Sequence, residues 1–163
     1  MRVHGQPYRT IFVADDGSTV AVIDQTRLPF AFELRHLQAA EEAAEAIRDM
    51  IVRGAPLIGV TAAYGVALGM REDPGDAGLG RVVEVLGATR PTAVNLRWAL
   101  ERMRGVLAVE PPSRRVDRAY DEAARIADED VAACAAIGRH GRALLAAMHE
   151  RRGGQPVRVL THC

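Results

Sequence analysis

The chain has 163 residues and a mass of 17.6 kDa, a length that fits one domain or one domain plus a fragment and can bury a real core. Hydrophobic residues make up 48% and charged residues 26%, which excludes an intrinsically disordered chain. The 21 basic side chains, all arginine, balance 21 acidic ones, so no overall field favours nucleic acid or an anionic membrane.

Taken in chain order, Tyr8 to Ala14 and Thr19 to Asp24 are rich in β-branched and aromatic residues, and Asp15-Asp16-Gly17-Ser18 between them predicts a hairpin turn. From about Gln38 the period changes: Ala39, Ala43, Ile47, Met50 and Ile51 follow helical spacing, with Gly54 as the expected left-handed cap. Pro56 suits the first turn of a second helix running to about Glu72. The apolar run of that helix, Ala55 to Met70, is broken by Pro56, Gly59, Gly65 and Gly69 and is too short to span a bilayer.

The Pro74-Gly75-Asp76 cluster ends this helix, and a shorter one is expected around Leu79 to Gly87. Pro91 opens the next, with Leu96, Leu100, Met103 and Leu107 on one stripe, ended by Pro111-Pro112. Ser113 to Arg151 reads as two helices broken near Gly138 or Gly141, with Arg114, Arg115 and Arg118 on a solvated face. Pro156 to Cys163 reads as a loop and a buried strand, the way an α/β layer begins. The expected architecture is α+β: an N-terminal, mostly helical domain with a small β hairpin over 1–150, then the first strand of a truncated Rossmann-like domain over 151–163.

Three stretches carry chemistry. In Val52-Arg53-Gly54-Ala55-Pro56, the N–H groups of Gly54 and Ala55 lie at the positive end of a helix, and Arg53 adds a fixed charge. The plain alternative is a helix–helix turn with a solvated arginine. Thr89-Arg90-Pro91-Thr92-Ala93-Val94-Asn95-Leu96 repeats the arrangement, and two such turns could converge on one phosphate. Thr92 and Asn95 also read as local capping or loop contacts. Leu160-Thr161-His162-Cys163 puts a thiol at the end of an α/β strand, where such folds bind ligands; the alternative is an inert buried cysteine. His162 alternates to the opposite face from Cys163, which argues against a dyad. Cys134, among alanines in a helix, reads as buried and structural, and Trp98 and Tyr64 as core or pocket wall. The two cysteines form no C-x-x-C pair, and the five histidines show no metal-ligand spacing. No signal-peptide pattern opens the chain, so a cytoplasmic location is expected.

The order of these motifs, together with Asp24-Gln25-Thr26-Arg27-Leu28-Pro29, Ala46-Ile47-Arg48-Asp49-Met50 and Thr61-Ala62-Ala63-Tyr64-Gly65, closely resembles the methylthioribose-1-phosphate isomerases of methionine salvage. That family is related to the regulatory subunits of the initiation factor 2B complex. The resemblance implies a homodimeric enzyme that converts 5-methylthioribose 1-phosphate to 5-methylthioribulose 1-phosphate without metal or organic cofactor. It implies that Arg53, Gly54, Ala55 and Arg90 hold the phosphosugar, mainly through its phosphate, and that Cys163 is the active-site cysteine. The family continues well beyond this cysteine, so its catalytic aspartate falls outside the present sequence. Leu57 replaces a small residue usual in the family. The alternatives are a related isomerase acting on ribose 1,5-bisphosphate or 5-deoxyribose 1-phosphate, and a non-catalytic regulatory subunit.

Overall fold

The structure is a computed structural model that describes residues 2–162. The chain divides into two compact units, one up to Ala127 and one from Asp128 on. The first unit opens with a two-stranded ribbon of β1 (Arg2–Val3) and β2 (Gln6–Pro7). A three-stranded antiparallel sheet follows, in which β4 (Val20–Ile23) lies between β3 (Ile11–Val13) and β5 (Leu34–Leu37). All four β4 residues are buried, so this central strand is a continuous apolar run rather than an alternating one. The predicted hairpin joins β3 to β4. Its turn is fixed by Asp16, whose Oδ1 accepts the N–H groups of Ser18 and Thr19, both at 2.8 Å, and whose Oδ2 accepts the Thr19 hydroxyl at 2.5 Å. These bonds, that of the Thr19 hydroxyl foremost, hold the carboxyl at about 2, below its usual 3.8.

Five helices complete the described residues. Helix α1 (Ala40–Arg48) stops earlier than the sequence predicts. Asp49 is its cap, and Met50, not Gly54, takes the left-handed conformation that turns the chain, with φ 59°. Helix α2 (Ala55–Glu72) has the predicted extent and is buried continuously from Ile58 to Met70. It packs against α1, α3 (Asp76–Gly87) and α4 (Val94–Leu107), which is why it is apolar on all sides. Close packing requires glycine at Gly65, where a Cβ would come within 2.9 Å of the Ala43 methyl. The predicted α4 stripe of Leu96, Leu100, Met103 and Leu107 is buried throughout.

Helix α5 (Pro112–Arg151) is one element of 40 residues, not two. Glycine in a helix interior costs about 1 kcal/mol relative to alanine. Gly138 and Gly141 sit among alanine, arginine and leucine, and that cost does not break the helix. Up to Ala127, α5 buries Arg115, Ala119, Glu122, Ala123, Ile126 and Ala127. The expected strand after Pro156 is not formed among the described residues: positions 155–162 carry no regular structure, and Val159 and Leu160 are exposed. A lone extended segment has nothing to receive its backbone donors and acceptors.

Two arginines of the expected solvated face are structural instead. Arg115 is 3% exposed; its Nε donates to the carbonyls of Leu107 and Glu110 at 2.9 and 3.0 Å. Its Nη1 donates to the Pro74 carbonyl at 2.9 Å, and Nη2 meets Asp76 at 2.6 Å. One guanidinium thus caps the C-terminal end of α4 and ties it to the start of α3. Arg118 meets buried Glu122 at 3.1 Å, alongside Arg102 at 2.7 Å and Arg125 at 2.8 Å. Only Arg114 of the three is fully exposed. Tyr120 donates its hydroxyl to the Ser18 carbonyl at 2.5 Å, fastening α5 to the hairpin, and burial pushes its phenol above the usual value.

Candidate functional site

The turn before α2 is built by a buried approach and an exposed tip. Ile51 and Val52 are buried, and the Val52 N–H returns to the Ala46 carbonyl at 3.2 Å. Arg53, Gly54, Ala55 and Pro56 are then exposed. Gly54 is the N-cap of α2 with φ 94° and ψ 132°, a backbone conformation natural to glycine. Its carbonyl accepts the Ile58 N–H at 3.0 Å, which starts the helix. No side chain caps this end, which leaves the first N–H groups without intrahelical partners at the positive pole of an 18-residue helix. The Arg53 Nε donates to the Met50 carbonyl at 3.4 Å, while its guanidinium stays exposed. An amide pair with an arginine beside it is suited to a phosphate or carboxylate.

Arg90 lies in the connection from α3 to α4. Its carbonyl accepts the Ala93 N–H at 3.0 Å, and the preceding Thr89 hydroxyl donates to the Leu86 carbonyl at 2.6 Å. Arg90 lines a cavity of about 240 Å³ with Val83, Gly87, Leu96, Leu100 and Arg97. Residues 53–55 do not line that cavity. The two helix starts nevertheless adjoin: a Cβ on Gly59 of α2 would come within 2.9 Å of the Asn95 carbonyl in the first turn of α4. The structure therefore brings the two arginine turns to neighbouring helix ends without placing both in one cavity.

Cys163 lies outside the described residues. Cys134 is exposed on α5, contrary to the buried role expected of it. Ala132, Ala133 and Ala135 around it are exposed too, so alanine neighbours alone do not mark a buried face. Tyr64 is core, but Trp98 is 46% exposed, with the Arg102 guanidinium 5.5 Å from its ring centre. Thr92 is exposed and precedes α4, and Asn95 contributes its backbone to the contact with Gly59. Arg97, unmarked in the sequence reading, shares the Arg90 cavity and donates to the Pro91 carbonyl at 3.3 Å. Its spacing of seven from Arg104, two turns along α4 and lining the same cavity, is the available signal. No helix is long and apolar enough to cross a membrane among the described residues.

Against known proteins, the profile of the Initiation factor 2 subunit family matches residues 51–163. The methylthioribose-1-phosphate isomerase of Methylobacterium nodulans is 64% identical over 163 residues, covering 100% of this chain and 44% of that protein. The chain thus spans less than half the length of that curated relative. The crystal structure of 5-methylthioribose 1-phosphate isomerase from Pyrococcus horikoshii superposes with a TM-score of 0.69 at 38% identity, over 76% of this chain and 36% of that one. The delta subunit of translation initiation factor eIF-2B from A. fulgidus does so with a TM-score of 0.69 at 37% identity, over 77% and 38%.

Proposed function

Because the chain belongs to the Initiation factor 2 subunit family, we propose that it is the N-terminal part of an aldose–ketose isomerase that converts 5-methylthioribose 1-phosphate to 5-methylthioribulose 1-phosphate in methionine salvage. The observation that carries this reading is the 64% identity, over the whole chain, with a protein named for that reaction. The exposed amide pair of Gly54 and Ala55 beside Arg53 supports it, since the substrate's one strong charge is its phosphate. In this reading Arg90 is a second phosphate ligand, as its position at the neighbouring helix start supports. Residues 1–150 form the N-terminal domain, and 151–163 lead into a Rossmann-like domain. The apolar residues Ile137, Leu144, Val159 and Leu160, exposed in the second unit, support a covering of that kind. The enzyme works as a cytoplasmic homodimer, with no cofactor and no nucleic-acid partner.

The chemistry accounts for the parts. The anomeric oxygen of the substrate carries phosphate, so the sugar has no free aldehyde. The ring must open, with a proton delivered to its oxygen, before hydrogen moves from C2 to C1. As the ring oxygen gains a proton, the C2 hydroxyl loses one for C2 to become the ketone; Cys163 takes one of these two proton transfers, and a carboxylate from the rest of the enzyme takes the other. The regulatory-subunit reading is favoured by the likeness to the A. fulgidus delta subunit. The cysteine in Leu160-Thr161-His162-Cys163 weighs against it, since binding alone needs no thiol.

The test uses a fusion of this chain to the part of the M. nodulans enzyme that follows the match. Arg53→Ala and Arg90→Ala are each expected to raise KM for the sugar phosphate at least tenfold, the loss of roughly 1.5–3 kcal/mol that a charged hydrogen bond supplies. An unchanged KM in both variants contradicts the phosphate clamp.

A further inference from the structure

We propose that Asp24 is a positioning residue for the Arg53-Gly54-Ala55 turn, acting through Thr26 and the backbone of Gln25. The inference rests on the reading of that turn as a phosphate site. Asp24 follows β4 and is 7% exposed. Its Oδ1 accepts two bonds from one residue, the Thr26 N–H at 2.9 Å and the Thr26 hydroxyl at 2.5 Å. Its own N–H donates to the Glu33 carbonyl at 3.0 Å, and its carbonyl accepts the Arg27 N–H at 3.4 Å. Residues 24–27 are thereby closed into a stiff turn anchored on the sheet.

Besides its bonds to the adjoining 30–33 segment, that turn reaches the approach to α2 through Gln25. The Gln25 N–H donates to the Ile51 carbonyl at 2.9 Å, two residues before Arg53. On the other side, Val52 donates to Ala46 of α1. The two bonds fix consecutive residues, Ile51 from the sheet and Val52 from the helix, and leave only Arg53 before the exposed Gly54 amide. A ligand site of backbone amides depends on such support, because an amide cannot re-aim itself as a long side chain can. A carboxylate is costly to bury and needs its hydrogen bonds. The bonds of this one order a loop that holds Ile51, two residues before the anion turn.

The test is made on the 163-residue chain with inorganic phosphate as the probe, following the Gly54 and Ala55 amide resonances and hydrogen exchange of the Gln25 amide. Asp24→Ala is expected to weaken phosphate binding about tenfold, the low end of the loss found when an outer-shell partner of a metal ligand is removed. Gln25 exchange should speed up, while the Val60–Leu68 amides of α2 keep their protection. Asp24→Asn, which retains Oδ1 as an acceptor, should bind within about twofold of the parent. If Asp24→Ala binds phosphate as the parent does, the positioning role is overturned and the phosphate reading stands. If the parent chain shows no phosphate response at Gly54 and Ala55, the phosphate reading and the role resting on it both fail. Should Asp24→Ala lose α2 protection as well, Thr26→Val decides: a selective loss at Gly54 and Ala55 supports the role, and unchanged binding overturns it.

Discussion

Cys163→Ser in the fused enzyme is expected to lower kcat by about 10²–10⁴-fold, the range a positioned acid or base contributes, with KM changed little. Serine has nearly the size of cysteine, so the pocket and its phosphate ligands stay as they are. A thiol ionises near pH 8.5 and can both hold and release a proton close to neutrality, whereas a serine hydroxyl stays protonated there. The isomerisation needs a group that gives a proton to the ring oxygen or stabilises the hydrogen moving from C2 to C1. Steady-state kinetics separate the two effects: a fall in kcat at constant KM is a loss confined to the transition state. Turnover near that of the parent contradicts the role given to Cys163.

The largest effect on stability is expected at Arg115. Arg115→Ala removes the donor that serves the Leu107, Glu110 and Pro74 carbonyls at once. The Leu107 carbonyl keeps the Glu110 N–H at 3.1 Å, but the half-buried Glu110 and Pro74 carbonyls lose this donor and the buried stem leaves a void, so the total comes to roughly 2–4 kcal/mol. At this chain length that loss lowers the melting temperature by about 5–15 °C. Arg115→Met, which restores the apolar volume but none of the donors, is expected to recover only a small part of it. Asp76→Ala gives the contrast: its side chain is 90% exposed, and an ion pair with so exposed a partner is worth at most about 1 kcal/mol. A thermal melt of the three variants checks the order. An Arg115→Ala melting temperature equal to that of Asp76→Ala contradicts the capping role.

Much of the fold is legible because proline and glycine mark its joints. Pro56 and Pro74 bound α2, and the α4 stripe of Leu96, Leu100, Met103 and Leu107 has clean helical spacing. The hairpin is legible for the same reason, with Asp16 and Gly17 at its turn. Strand β5 is not, because Leu34-Arg35-His36-Leu37 carries two charged or polar residues and only Leu37 is buried. The end of α1 is misplaced because Met50, an ordinary helix former, adopts the left-handed turn reserved in the sequence reading for Gly54. Arg115 illustrates a general difficulty: an arginine among acidic neighbours looks solvated, and only the fold brings it the carbonyls of Leu107 at the end of α4, Glu110 after it and Pro74 before α3.

At the candidate site, the Arg53-Gly54-Ala55 turn can be read from Gly and Pro alone. Its support cannot, because Gln25 and Ile51 meet through backbone atoms that leave no trace in residue type. Arg97 likewise joins Arg90 only once α3 and α4 form a cavity between them.

The most direct measurement is turnover by the fused enzyme with three sugar phosphates in parallel: 5-methylthioribose 1-phosphate, 5-deoxyribose 1-phosphate and ribose 1,5-bisphosphate. The prediction is ketose formation with the highest kcat/KM for 5-methylthioribose 1-phosphate. A higher kcat/KM for either of the others, or binding of all three without turnover by a folded fusion, contradicts the proposed function.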